Sequence, residues 1–130
     1  MSDLAAKKKR PVWFNLSLLD LPAPGLVSIF HRISGALLFF PGLIWLLFLL
    51  ETSLASEDGF THAKAYLSAP PAKLGLLVLL WAFLNHFCAG IRYLFIDIDQ
   101  GVQLAAARRT SFAVFAVSLA LTAIIGARIW

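Results

Sequence analysis

The residues best equipped for chemistry stand in the stretch Ser28-Ile29-Phe30-His31-Arg32-Ile33-Ser34-Gly35. A hydroxyl, an imidazole and a guanidinium gather there at the mouth of Ile33–Leu50, a run without one charged side chain. Polar and ionisable groups at the edge of a membrane span are costly, and they persist where they face a protein interior, a cavity or a partner. Ser28, His31, Arg32 and Gly35 fall at i, i+3, i+4 and i+7, so a helix presents them on one face. A second set lies at His86, Gly90 and Tyr93, again at i, i+4 and i+7, in a stripe that leads to Asp97. A glycine one turn from a histidine leaves room for something flat and wide, and imidazole is a standard axial ligand of haem iron. The plain alternative for His86 is a neutral side chain hydrogen-bonded across helices.

Three elements must carry these groups. Cutting the 130 residues at every charged side chain leaves Ile33–Leu50, Leu74–Ile91 and Thr110–Ala127. As helix, each run is about 27 Å long, close to the hydrocarbon thickness of a bilayer. With 60% hydrophobic and 14% charged residues, the chain has no polar elements left to wrap three buried core helices in water. The fold class is therefore an all-α membrane protein: a single domain with an interfacial arm over 1–25 and transmembrane helices over about 27–51, 72–96 and 109–129. The arm is basic to Arg10 and then broken by Pro11, Pro22 and Pro24. Pro24-Gly25 sets a turn, helix one starts near Leu26, and Pro41-Gly42 sets a mid-span kink.

The net charge of +4 comes from 11 basic and 7 acidic residues, but its distribution points to topology and away from nucleic acid. Lys7, Lys8, Lys9, Arg10, Arg32, Arg92, Arg108 and Arg109 fall on one side of the three-span arrangement, whereas Lys64, Lys73 and Arg128 fall on the other. The positive-inside rule places the first group, and the N-terminus, in the cytoplasm. Arg128 and Trp130 then anchor the outer interface, and the short polar lead, with no cleavable signal, points to a bacterial inner membrane. Residues 51–71 read as the outer polar connection, with His62 a solvated histidine lacking a second metal ligand. Residues 97–109 read as a solvated inner connector, with Arg92 and Asp97 close enough to pair. One cysteine, Cys88, neither forms an internal disulfide nor holds an iron–sulfur cluster. The small and polar residues of helix three, including Ser111, Ser118 and Gly126, suit close helix packing.

The opening Arg10-Pro11-Val12, Leu16, Pro22 and Ser28 to Gly35, with His86 followed by Gly90-Ile91-Arg92 and Asp97, resembles the cytochrome-b membrane-anchor subunit of succinate dehydrogenase, respiratory complex II. The resemblance runs from residue 10 to about 128. It implies an electron-transfer subunit, not an enzyme alone, that packs against a second small membrane anchor and docks the flavoprotein and iron–sulfur subunits. It further implies a haem b shared by the two anchors, with His86 as one axial ligand to the iron and His31 and Arg32 near the propionates. Ser28 and Arg32 match positions lining the ubiquinone site. The chain departs at Tyr93, where many relatives carry a second histidine. A guanidinium and a hydroxyl beside a quinone carbonyl suit the negative charge that builds up there on reduction. The alternatives are a fumarate reductase anchor oxidising menaquinol, and a small non-redox membrane subunit in which His86 and Arg32 merely pair across helices.

Overall fold

The computed structural model describes residues 21–130, so the arm expected over 1–25 falls, for its first twenty residues, outside the described part. Every regular element described is helical: α1 Ala23–Leu37, a π-helical segment Leu38–Leu43, α2 Ile44–Ala55, α3 Glu57–Ser68, α4 Pro70–Asp97 and α5 Leu104–Ile129. α1, the π segment and α2 run on without a break, so the first span is one helix of 33 residues, Ala23–Ala55. With α4 and α5 it makes three helices long and apolar enough to cross a membrane. At 1.5 Å per residue the first span is about 50 Å long and extends beyond the hydrocarbon at its ends.

The first span begins earlier than expected, because Pro24 and Gly25 lie inside its first turn. Proline is harmless there, since the first N–H groups of a helix have no intrahelical partner. The Pro22 carbonyl accepts from Gly25 and Leu26 at 2.8 and 3.2 Å and starts the ladder. At mid-span Pro41 brings no N–H for the Leu37 carbonyl and crowds it, and the helix answers by widening into the π segment. Gly42 is buried at that point; a methyl group added to it would meet Leu79 of α4 and the Leu37 carbonyl. The expected kink is thus a widened turn against which α4 packs.

The outer connection, expected as a polar segment, holds a helix of its own. Ser56 accepts from the Gly59 N–H at 2.9 Å, and Glu57 and Asp58 occupy the positive N-terminal turn of α3. Ala63 is buried, and Tyr66 meets Trp45 of α2 edge to face at 6.4 Å between centroids. His62 pairs with Asp58 at 3.5 Å on the exposed side of this helix. The inner connection is also shorter than expected, because α5 begins at Leu104 and absorbs Arg108 and Arg109. The reversal occupies only residues 98–103, where Asp99 and Gly101 take positive φ angles of 60° and 78°.

α1, α4 and α5 touch one another in a three-helix bundle. Its centre is Val27, Ala89 and Val114, with Cys88, Tyr93 and Phe115 packed around them. Phe30 meets Trp81 and Phe115 edge to face. On α5, Ser111, Ser118 and Gly126 are buried, and both hydroxyls return to carbonyls of their own helix. Such small residues let helices approach in a medium that provides little hydrophobic drive. Phe39, Phe40, Ile44, Phe48 and Phe112 are more than three-fifths exposed, an outward apolar belt suited to lipid or to another membrane helix.

Candidate functional site

The two histidines singled out from the sequence meet in the bundle. His31 lies eight residues into α1 and His86 eleven residues before the end of α4, so in antiparallel helices they reach similar depth from the same side. Their rings stack with centroids 4.0 Å apart and planes within 12°. Tyr93 also meets the His31 ring, tilted by 59° with centroids 5.2 Å apart, so both aromatic members of the α4 stripe reach His31. The space opposite Gly90, expected to admit a flat group, faces His31 in this chain, with Nε2 3.9 Å from where a methyl at Gly90 would stand.

The nitrogens of His86 are not equivalent. Nδ1 lies 2.9 Å from the main-chain carbonyl oxygen of His31. A carbonyl only accepts, so Nδ1 carries the proton and Nε2 keeps the free lone pair. Ser34 Oγ stands 3.4 Å from the same Nδ1 and donates to the same carbonyl at 3.0 Å. Asn85 Nδ2 donates to Ser34 Oγ at 3.5 Å. Ser34 is wholly buried and Asn85 is 1% exposed. Gly35 makes the contact possible: a methyl there would sit 2.8 Å from His86 Cε1 and 3.2 Å from Nδ1.

Ser28 and Arg32 stand apart from this network. Ser28 is half-buried and Arg32 exposed, and among the described residues neither side chain makes a hydrogen bond or an ion pair. The face they share with His31 and Gly35 is therefore split: His31 and Gly35 address α4, while Arg32 points away from the bundle. Arg92 does not pair with Asp97. It is 6% exposed, donates from Nε to Thr110 Oγ1 at 3.1 Å and lies over the Tyr93 ring. That arrangement ties α4 to the start of α5, since α5 begins early enough to bring Thr110 within reach. A cavity of about 390 Å³ opens beside it between α4 and α5, lined by Cys88, Phe95, Val114 and Val117 among others, and it includes none of Ser28, His31, Arg32 or His86.

Ser34 and Asn85 are the members of the site that the sequence reading passed over. Ser34 lies inside the opening motif and Asn85 immediately before His86, so adjacency to a histidine was the available signal. Among the described residues no three His, Cys, Asp or Glu side chains gather as a metal site. Nor do the paired histidines form one. Imidazole lone pairs lie in the ring plane, so two rings stacked face to face cannot bind one iron from opposite sides.

Comparison with known proteins finds relatives over most of the chain. Residues 6–125 match the model of the family described as the succinate dehydrogenase/fumarate reductase transmembrane subunit. The chain is 34% identical to the succinate dehydrogenase cytochrome b556 subunit of Coxiella burnetii, over 94% of this chain and 98% of that protein. It is 32% identical to the subunit of the same name from Rickettsia felis, over 88% of each chain. For that of Paracoccus denitrificans the identity is 30%, over 86% of this chain and 85% of the relative. Three membrane-length helices, both motifs at their expected depth and a match over almost the whole length lead to one conclusion: the chain belongs to the family of transmembrane subunits of succinate dehydrogenase and fumarate reductase.

Proposed function

We propose that this chain is the cytochrome-b membrane anchor of a succinate:ubiquinone oxidoreductase in a bacterial inner membrane, with its N-terminus in the cytoplasm. In this reading it packs against a second small anchor subunit, docks the flavoprotein and iron–sulfur subunits, and forms one wall of the ubiquinone-reducing site. The observation that carries the proposal is the orientation of His86. An axial histidine needs a lone pair on one ring nitrogen and a fixed partner on the other, which sets tautomer and ring direction. His86 meets both conditions with its own chain: Nδ1 is engaged by the His31 carbonyl and Nε2 has no hydrogen bond among the described residues. The donor set thus fits haem b, bound through His86 Nε2. Stacked face to face on His86, His31 would not hold the same iron, so in this reading a second ligand would come from another subunit. Haem b, when bound, supplies a one-electron redox centre between the anchors.

The chain's own residues divide the remaining tasks. The His31 carbonyl orients His86, and Gly35 leaves the gap that the ring enters. His31 and Arg32 stand on the first helix near its cytoplasmic end, where they would meet haem propionates as cationic or hydrogen-bonding partners. Neither the Ser28 nor the Arg32 side chain makes a hydrogen bond or an ion pair among the described residues, which is what a site completed by other subunits requires. There a guanidinium and a hydroxyl orient the quinone carbonyl, and the charge it gains on reduction strengthens both hydrogen bonds.

Purification of the tagged chain from its native membrane tests the assembly. The expected result is co-elution of a flavoprotein, an iron–sulfur protein and a second small membrane protein, with succinate-dependent quinone reduction and a b-type spectrum. A chain recovered alone, without haem, would point to the small non-redox subunit.

A further inference from the structure

Two buried polar side chains of this site have no task in the family reading. Ser34 is fully buried at the crossing of α1 and α4, and Asn85 is 1% exposed one residue before His86. Serine inside a membrane helix commonly returns its hydroxyl to a carbonyl three or four residues back, and Ser34 does so with His31 at 3.0 Å. That bond alone would make it a neutral filler. Two further contacts make it more. Ser34 Oγ lies 3.4 Å from His86 Nδ1 and receives the Asn85 amide at 3.5 Å from the neighbouring helix. Asn85 makes no other side-chain hydrogen bond among the described residues, and its Oδ1 is buried without a partner. Leaving a buried amide oxygen unpaired is destabilising, because the group gives up its water without gaining a partner. An aliphatic residue at 85 would avoid that cost, so an asparagine held there solely for packing has little physical justification.

We infer that Ser34 and Asn85 are positioning residues for His86: a buried pair, one from each helix, that keeps the imidazole proton on Nδ1 and aims Nε2. The inference rests on the reading of His86 as a haem ligand and deepens it. The His31 carbonyl at 2.9 Å and the Ser34 hydroxyl at 3.4 Å both face Nδ1–H and are joined to each other at 3.0 Å, so the ring has little freedom to turn about its Cβ–Cγ bond. Asn85 acts one step further out. Its amide occupies a lone pair of Ser34 Oγ, which directs the hydroxyl proton to the His31 carbonyl and leaves oxygen density facing Nδ1–H. Neither side chain touches the metal position; both act through His86.

The test is haem transfer from the purified complex, in detergent, to an excess of apomyoglobin, followed through the Soret band. Loss of an outer partner of a metal-binding histidine typically lowers affinity 10- to 100-fold. Ser34→Ala and Asn85→Leu are each expected to release haem on the order of tenfold faster than the unmodified complex. The double variant should show less than the product of the two effects, because the pair acts along one path. Succinate oxidation with a soluble acceptor, which reports assembly, should stay unchanged in all three. Release at the unmodified rate in both single variants overturns the inference while leaving the ligand reading intact, provided His86→Ala lacks haem. A His86→Ala complex that keeps its haem overturns both. Should Ser34→Ala fail to assemble, Asn85→Leu decides alone, since it leaves the α1 surface intact.

Discussion

Substituting Gly35 by alanine is expected to cost the complex most of its haem while leaving the helix that carries the change intact. A new methyl at 35 would stand 2.8 Å from His86 Cε1, closer than side chains pack, so the imidazole must move. It is hemmed in by His31 on its face and by Ser34 beside Nδ1, and it cannot withdraw without breaking the 2.9 Å bond to the His31 carbonyl. Two effects oppose each other here. Alanine favours a helix over glycine by roughly 0.5–1 kcal/mol. Losing a buried hydrogen bond costs on the order of 1–3 kcal/mol, and a displaced axial ligand lowers metal affinity 10- to 100-fold. The second effect wins, and it acts on cofactor content more than on folding. Haem per complex, measured by the pyridine haemochrome assay against total protein, should fall at least about tenfold for Gly35→Ala and further for Gly35→Val. Full haem occupancy in Gly35→Val would mean that His86 is not held as described.

The second large effect is expected at Arg32, through a different mechanism. Its guanidinium is exposed and makes no hydrogen bond or ion pair among the described residues, so Arg32→Ala removes nothing that holds the bundle together. A single donor aimed at developing charge on an oxygen is worth on the order of 100-fold in turnover. Ubiquinone reduction by the Arg32→Ala complex should therefore drop by about two orders of magnitude, with succinate oxidation by a soluble artificial acceptor retained. The ratio of the two activities is the informative quantity. Parallel loss of both would indicate a complex that fails to assemble and would remove Arg32 from the quinone site.

The three spans were legible because each is an uninterrupted run free of charge, a pattern that few soluble folds produce in so short a chain. The approach of His31 to His86 was legible in outline from their depth in antiparallel helices. The stacking, and the asymmetry between the two nitrogens of His86, were not, since both depend on the rotation of α1 against α4 at Gly35. Ser34 was hidden by an ordinary serine habit, the back-bond to its own helix, and its second contact exists only across the helix crossing. Asn85 was overshadowed by its neighbour, because one residue along a helix turns 100° and normally faces something else. The helix α3 did carry a signal, a capping serine followed by two acidic residues, masked by the overall polarity of the connection. Arg92 was assigned the nearer acid, Asp97. Its partner became Thr110 because α5 starts at Leu104 and carries that hydroxyl to the buried guanidinium.

A reduced-minus-oxidised spectrum of the purified complex tests most directly whether His86 is a ligand of haem b. The unmodified complex should show the absorption bands of a b-type cytochrome. With His86→Ala, in a complex that still oxidises succinate with a soluble acceptor, those bands should be absent or replaced by the spectrum of a haem that has lost one axial ligand. An unaltered b-type spectrum, at unaltered haem content, in the His86→Ala complex would show that His86 does not hold the haem.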